Sequence, residues 1–380
     1  VADYLRQMPD HGSADLARRP GLASRLHIDI PLLLLLLVLT AYGLVVLYSG
    51  SGKSLDAVIR QGRYFLLAYA VMFTVAQISL ARLMRWAPWF YLLGVALLVA
   101  VMVAGVGAKG AQRWLSIGGF RFQPSEIMKL VLPLTIAWYL ADRSLPPRFF
   151  PILVALALVL VPTALILQQP DLGTSLLIAA SGLFVLFVAG MGWGYILGAA
   201  VLAIAGSWPM WMFVLRDYQK QRILTLLDPE ADKLGAGWNI IQSKTAIGSG
   251  GWEGKGWTDG TQSHLDFLPE SHTDFIIAVL SEEFGLRGVL VLMTIYLLIL
   301  LRGFWIGINA RSSFGRMVAG SLTLTFFVYI FVNMGMVAGV LPVVGVPLPL
   351  VSAGGTSAIS LMAAFGILMA VSTEKSAGQG

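Results

Sequence analysis

The chain has 380 residues, of which 57% are hydrophobic and only 12% charged, with a formal net charge of +6. A soluble domain carries about 25% charged residues, so a surface this apolar excludes an ordinary soluble protein, and the bilayer is the solvent that fits. The absence of cysteine excludes disulfides and thiolate metal sites, four scattered histidines (His11, His27, His264, His272) argue against a zinc enzyme, and basic residues in short clusters between apolar runs fit membrane loops rather than nucleic-acid binding.

The first 27 residues are polar and carry Arg6, Arg18, Arg19 and Arg25, which predicts a cytoplasmic N-terminal tail. The first apolar run, from Pro31 to about Leu47, is too long for the core of a signal peptide. It reads as a retained helix with Asp29 as its N-cap. At ~20 mainly apolar residues per crossing, hydropathy predicts helices near 30–49, 64–80, 87–106, 127–141, 149–168, 172–190, 193–215, 275–301, 317–340 and 353–372. The expected fold class is therefore an all-α polytopic membrane protein with about ten transmembrane helices. One membrane domain, 28–373, would lie between a tail of residues 1–27 and a C-terminal tail of 374–380. Between the seventh and eighth helices, 216–273 is too short and glycine-rich for a domain with its own core. It reads as a large extracytoplasmic loop on the membrane surface. With both termini in the cytoplasm, inner segments hold twelve basic residues and short outer loops six, which favours that orientation.

Charge at a membrane is costly, so each charged residue near an apolar run needs a reason. Glu126 and Lys129 stand three apart at the start of the short fourth helix and share a face. They read either as a structural ion pair or, with Arg113, as the cationic wall of a site for an anionic headgroup. Asp171, in a very short outer connection, suits the N-cap of the sixth helix. Asp274 ends the long outer loop. Capping is one role for it; the other is a partly desolvated general base beside His272 and Thr273. Deeper in the eighth helix, Glu282 and Glu283 cannot both face lipid cheaply. A break near Gly285 would turn them to a cavity, and a structural role competes with a catalytic one. Pro342, Pro347 and Pro349 forbid a continuous helix before Gly354 and Gly355, so 341–356 reads as a re-entrant, non-helical segment. The glycines from Gly248 to Gly256 only faintly resemble a phosphate loop. Ser249 stands where that motif needs Gly, Gly256 stands where it needs Ser or Thr, and no strand is predicted before them.

Four segments occur in a telling order: Arg121-Phe-Gln-Pro-Ser-Glu-Ile-Met-Lys129, Gln169-Pro-Asp-Leu-Gly-Thr174, Phe267-Leu-Pro-Glu-Ser-His-Thr-Asp-Phe275 and Pro347-Leu-Pro-Leu-Val-Ser-Ala-Gly-Gly355. On them the chain, from about residue 28 to 373, resembles the bacterial SEDS family (shape, elongation, division and sporulation). Gly260-Thr-Gln-Ser-His-Leu-Asp-Phe-Leu-Pro-Glu270 and the short N-terminal tail are similar to its elongation branch rather than its division branch. Ala353, where an aromatic residue is expected, departs from the pattern.

The resemblance implies a peptidoglycan glycosyltransferase that polymerises lipid II at the outer face of the bacterial cytoplasmic membrane. It implies a class B penicillin-binding protein as the cross-linking partner, together with other membrane proteins of an elongation complex and the membrane lipids. It also implies that Asp274 is the essential catalytic carboxylate. In the site expected on this basis, Arg113 and Lys129 hold the pyrophosphate and Glu126 orients Lys129. Asp171 positions the acceptor sugar or a divalent cation, and His272 and Ser352 line the substrate site. No cofactor and no protein metal site are assigned, and a divalent cation stays open. The rival functions are a lipid II flippase, since broken helices and intramembrane charges suit transporters as well, and a non-catalytic scaffold of the elongation complex.

Overall fold

The computed structural model describes residues 26–108, 111–117, 120–232, 235–261 and 271–374. Arg6, Arg18, Arg19, Arg25 and Lys375 of the predicted tails lie outside the described residues, as do His11, Lys109, His264 and the 267–270 part of the third signature.

Asp29 starts the first helix, α1 (Ile30–Gly50): its Oδ1 accepts the Leu32 N–H at 3.1 Å, and Pro31 in the first turn has no N–H to lose. The second, α2 (Leu55–Ala76), begins at Leu55 rather than at 64. Ser54 caps it by accepting the Ala57 N–H at 3.3 Å, and Asp56, Arg60 and Arg63 hide its first turns from a hydropathy scan. The third, α3 (Leu80–Ala104), likewise starts ahead of its apolar run. An antiparallel meander follows, of β1 (Val106–Ala108), β2 (Ala111–Ile117) and β3 (Phe120–Phe122), with Leu115 paired to Phe122. It is a small addition to an otherwise helical fold that the all-α expectation did not include. The Gly118–Gly119 pair between two short runs is a hairpin signal that a search for membrane helices passes over.

The chain continues through α4 (Pro124–Ala141), α5 (Phe149–Gln168), α6 (Leu172–Val188) and α7 (Trp193–Pro209, extended by a π-helical turn over Met210–Val214). The segment 216–273 is more than a loop: it holds α8 (Asp217–Leu227), a 3₁₀ turn (Pro229–Asp232) and α9 (Ala236–Gly250). Then come α10 (Ile276–Ile308), α11 (Ser313–Val337) and α12 (Gly355–Ser372), with 338–354 free of helix. Among the described residues seven helices are long and apolar enough to cross a membrane: α1, α3, α5, α7 with its extension to Phe213, α10, α11 and α12. The protein is a mostly helical integral membrane protein. Of these seven, α11 and α12 are the most enclosed; α12 packs along α2, and α11 against α4, α6 and α10. By contrast, α7 buries none of its side chains.

One end of the bundle is tied by charge. Arg302 Nε and Nη2 donate to Asp29 Oδ1 and Oδ2 at 3.0 and 2.7 Å, and Ser372 Oγ donates to Oδ2 at 2.6 Å. One buried carboxylate thereby joins the ends of α1, α10 and α12.

Toward the other end the backbone carries the burden. Gly285 leaves the helix inside α10 (φ 62°, ψ −161°), which breaks the hydrogen-bond ladder. The glycine-rich segment after α9 repairs it. Lys255 N–H and Gly256 N–H donate to the carbonyls of Glu282 and Glu283, each at 3.0 Å, and the N–H groups of Leu286 and Arg287 donate to Gly251 O and Trp252 O at 2.9 and 3.3 Å. The two glutamates are buried against polar partners. Glu282 Oε1 accepts from Lys255 Nζ at 2.6 Å and from the Thr261 N–H and hydroxyl at 2.8 and 2.9 Å, while Glu283 Oε1 accepts from Ser49 Oγ. The glycine run that mimics a phosphate loop is there because two backbones touch.

At Gly254, with φ +82°, an added Cβ would lie 2.1 Å from Glu283 O, whereas one at Gly248 would meet nothing within 4 Å. Gly254→Ala should therefore cost well over ~1 kcal/mol and abolish recovery of monodisperse protein in detergent, while Gly248→Ala purifies normally. Normal recovery and melting of Gly254→Ala would show that the graft onto α10 is dispensable.

Candidate active site

Pro124 opens α4, and its first turn projects Glu126 and Lys129 from one face. Lys129 Nζ donates to Glu126 Oε1 at 2.7 Å and lies over the Tyr329 ring of α11 at 5.1 Å. Glu126 Oε2 accepts from Ser360 Oγ of α12 at 2.6 Å. The two side chains are only 12% and 11% exposed, so each charge depends on these partners.

Across from this pair, Asp171 does two things at once. Its Oδ1 accepts the Thr174 N–H at 3.3 Å and caps α6. Its Oδ2 accepts from Gln123 Nε2 at 3.2 Å and lies 3.8 Å from Arg113 Nη1. Arg113, on β2, also donates through Nη2 to Pro170 O at 2.5 Å, and its buried Nε has no partner. Arg222, on α8, stacks 5.8 Å over Tyr218 and lies within electrostatic reach of Arg113, Asp171 and Asp274. Burial pushes its guanidinium down from the ordinary value; Arg113 adds to this, and Tyr218, Asp171 and Asp274 oppose it.

Asp274 sits in the turn 271–275, just before Phe275, which holds the N-cap position of α10 without a side-chain cap bond. Phe275, and not Asp274, thus occupies the capping position. Its Oδ2 is 3.5 Å from where a Cβ on Gly345 would be, and Gly345 (φ +74°) belongs to the non-helical 338–354 segment. That segment holds the turn by its backbone. Ser352 Oγ donates to Thr273 O at 2.5 Å and accepts from the Leu348 N–H at 2.8 Å, and the Ala353 N–H donates to His272 O at 2.9 Å. Asn333 of α11 donates from Nδ2 to both Asp274 O, at 2.9 Å, and Val346 O, at 2.7 Å.

These elements enclose a polar cavity with about 720 Å³ of empty space, partly open to the outside, lined by Arg113, Gln123, Glu126, Lys129, Asp171 and Tyr329 with Gly345 in its wall. Beside it runs an apolar groove of about 1370 Å³ between α2, α3, α4 and α12, lined by Phe90, Leu93, Ile127, Leu130, Ile359 and Ala363. Cavity and groove share Gln123, Glu126 and Thr356. Of the residues expected from sequence, Arg113, Glu126, Lys129 and Asp171 line one cavity and Asp274 stands at its wall. The His272 side chain is exposed, and the Ser352 hydroxyl is committed to two backbone groups. Among the described residues no three His, Cys, Asp or Glu side chains gather as a metal site would require. Sequence reasoning missed Gln123, Tyr329, Arg222 and Asn333. Asn333 had a usable signal, as a lone amide in an apolar helix; Arg222 had none that set it apart from other basic residues of a loop.

A family profile described as cell cycle protein, covering FtsW, RodA and SpoVE, matches residues 30–377. The chain belongs to this family. It is 51% identical over 352 residues to the peptidoglycan glycosyltransferase MrdB of Escherichia coli K12, covering 92% of this chain and 95% of that one. It is 39% identical to the probable peptidoglycan glycosyltransferase FtsW of Geobacter metallireducens, over 91% and 94% of the two chains. Its fold matches, with a TM-score of 0.80 and 31% identity over 90% of this chain and 97% of the other, a chain from work described as structural coordination of polymerization and crosslinking by a peptidoglycan synthase complex. It also matches a crystal structure of the rod shape-determining protein RodA of Thermus thermophilus, with a TM-score of 0.68 and 28% identity over 90% and 96% of the two chains. Three of the four SEDS signature segments put residues into the lining of this cavity, and the third carries Asp274 beside Gly345 in its wall.

If Glu126 and Lys129 act as one unit, Lys129→Ala strands a buried carboxylate and should cost about 3 kcal/mol, and Glu126→Ala should cost similarly. The double variant should lose far less than the sum, as read from thermal melts in detergent. Additive losses would mean that the pair is not coupled.

Proposed function

We infer that the chain is a peptidoglycan glycosyltransferase that polymerises lipid II into glycan strands during cell elongation. The observation that carries this is the 51% identity to MrdB over nearly the full length of both chains. The geometry supports it. A lipid-linked sugar donor is a diphosphate with a long apolar tail, and a cavity holding Arg113 and Lys129 continues into a groove lined almost wholly by apolar side chains.

In this reading Asp274 is the general base. It takes the proton from the acceptor sugar hydroxyl as that oxygen bonds to the donor's anomeric carbon, while the bond from that carbon to the lipid diphosphate breaks. Direct attack on an α-linked donor yields a β-linked strand. The departing diphosphate is received by Arg113 and Lys129, with Arg222 as a further cation, in a setting of fixed charge that needs no rearrangement as the bond breaks. Glu126 orients Lys129, and Asp171 orients Arg113 and the acceptor. His272 stands at the rim, and Ser352 acts by holding the turn that carries Asp274. The reading assigns no cofactor, because side chains supply the positive charge. Asp171 would be the residue to hold a divalent cation, which would supply further positive charge to the leaving group, and activity that persists in chelator would exclude it.

The topology in this reading is ten crossings, by α1 to α7 and α10 to α12, with both tails in the cytoplasm. The Asp29 end faces inward, and the cavity and 216–273 face outward. The excess of basic residues in the inner segments supports that orientation. The partner is a class B penicillin-binding protein, supported by the match to a chain of a synthase complex that couples polymerization to crosslinking. Other membrane proteins of the elongation complex and the surrounding lipids complete its contacts.

Asp274→Asn keeps the shape and removes the base. The purified complex carrying it should lose at least ~10²-fold in glycan synthesis from lipid II, within the range typical of general-base removal, while the parent makes long chains. A normal rate for Asp274→Asn would overturn the assignment. Movement of lipid II across vesicles without any polymer, from the parent protein, would instead favour a flippase.

A further inference from the structure

Asn333 lies well inside α11, with no exposed surface. Both of its hydrogen bonds leave from Nδ2, to the Asp274 and Val346 carbonyls at 2.9 and 2.7 Å. Two carbonyl acceptors around one atom require the amino group there, since the flipped amide would set oxygen against two oxygens. Oδ1 is buried with no partner. An apolar side chain of the same size would avoid that penalty, so filling the core does not explain an asparagine here.

The two acceptors belong to the two pieces of irregular backbone that meet at the cavity. Residues 271–275 form a turn ahead of α10, and 338–354 is free of helix, so neither has a ladder of its own to hold its shape. Val346 follows Gly345, the residue against which the Asp274 carboxylate stands. One amide on a rigid helix therefore sets the separation between the Asp274 backbone and the cavity wall.

We propose that Asn333 is a positioning residue for sugar transfer: its amide clamps the Asp274 and Val346 carbonyls and so fixes where the Asp274 carboxylate stands over the cavity. The proposal rests on the reading of Asp274 as general base. Asn333 does not line the cavity and touches none of its cations, so its loss acts on the chemical step and leaves capture of the diphosphate alone. A shift of about an ångström in a reacting group costs on the order of 10²-fold in rate.

The test uses the full chain purified with its partner and assayed on lipid II. Asn333→Leu keeps the branching at Cγ and removes both donors; Asn333→Asp is nearly isosteric and sets a carboxylate against the two carbonyls. Each should lower kcat by roughly 10²-fold with KM for lipid II within about two-fold of the parent, because uniform substrate binding is untouched. The protein must co-purify with its partner and melt in a single transition. If Asn333→Leu does not fold, Asn333→Ser, which retains one donor, carries the same test with a loss of roughly ten-fold, smaller than the misplacement figure above. A folded variant with the parent's kcat overturns the proposal, as does a raised KM at unchanged kcat. Asp274→Asn run in parallel separates the two claims. If it is inactive while Asn333→Leu is normal, only the clamp fails; if it is fully active, the base fails and the clamp with it.

Discussion

A polar group taken out of water must find its partner within the protein, and in a bilayer no solvent is at hand to make up for a missing one. Here that requirement falls on the backbone as much as on the side chains. The break in α10 at Gly285 frees carbonyls and amides, and the glycine-rich segment from Gly251 to Gly256 supplies their complements. The turn 271–275 and the proline-rich 338–354 are held to each other through Ser352, Ala353 and Asn333. Each irregular piece is fixed by directional bonds to something regular. The charged side chains follow the same logic, with Asp29 on Arg302, Glu282 on Lys255 and Glu126 on Lys129.

Rigidity of this kind suits a transfer between two membrane-tethered sugars. Positioning and fixed charge are the main contributions a protein can make to such a step, and both degrade when the site can relax. The cavity joins Arg113 and Lys129 to carboxylates that hold them in place, so positive charge is presented without being free to wander. The neighbouring groove offers the tail an environment like the one it leaves. Asp274, the proton acceptor proposed above, stands on the turn that the proline-rich segment braces. The candidate site is thus made where helices stop, and the long apolar helices serve to bring those ends together.

Much of the membrane fold could be read from apolar runs, because a helix that must span lipid leaves a signal twenty residues long. What could not be read follows from how short or mixed the other signals are. The early start of α2 is masked by Asp56, Arg60 and Arg63. The meander at 106–122 is too small to register against its apolar flanks. For the site, Glu126, Lys129, Asp171 and Asp274 stand out because charge beside an apolar run is rare. Their partners, Tyr329, Ser360 and Asn333, do not, since a hydroxyl or amide in a helix is cheap enough to pass unnoticed. Glu282 and Glu283 show the limit of the charge rule: charge in a membrane segment points to a buried partner, and only the structure tells a partner from a substrate.

The central claim is that the lipid-linked donor lies with its diphosphate in the polar cavity and its tail in the groove between α2, α3, α4 and α12. A lipid II analogue carrying a photoreactive diazirine on its first isoprene units, irradiated with the purified complex during turnover, tests this directly. Labelled peptides should come from α3, α4 and α12, at Phe90, Ile127 and Ile359, and labelling should fall when unlabelled lipid II competes. Labelling confined to α7 or to the Asp29 end of the bundle, in a complex that still polymerises, would contradict it.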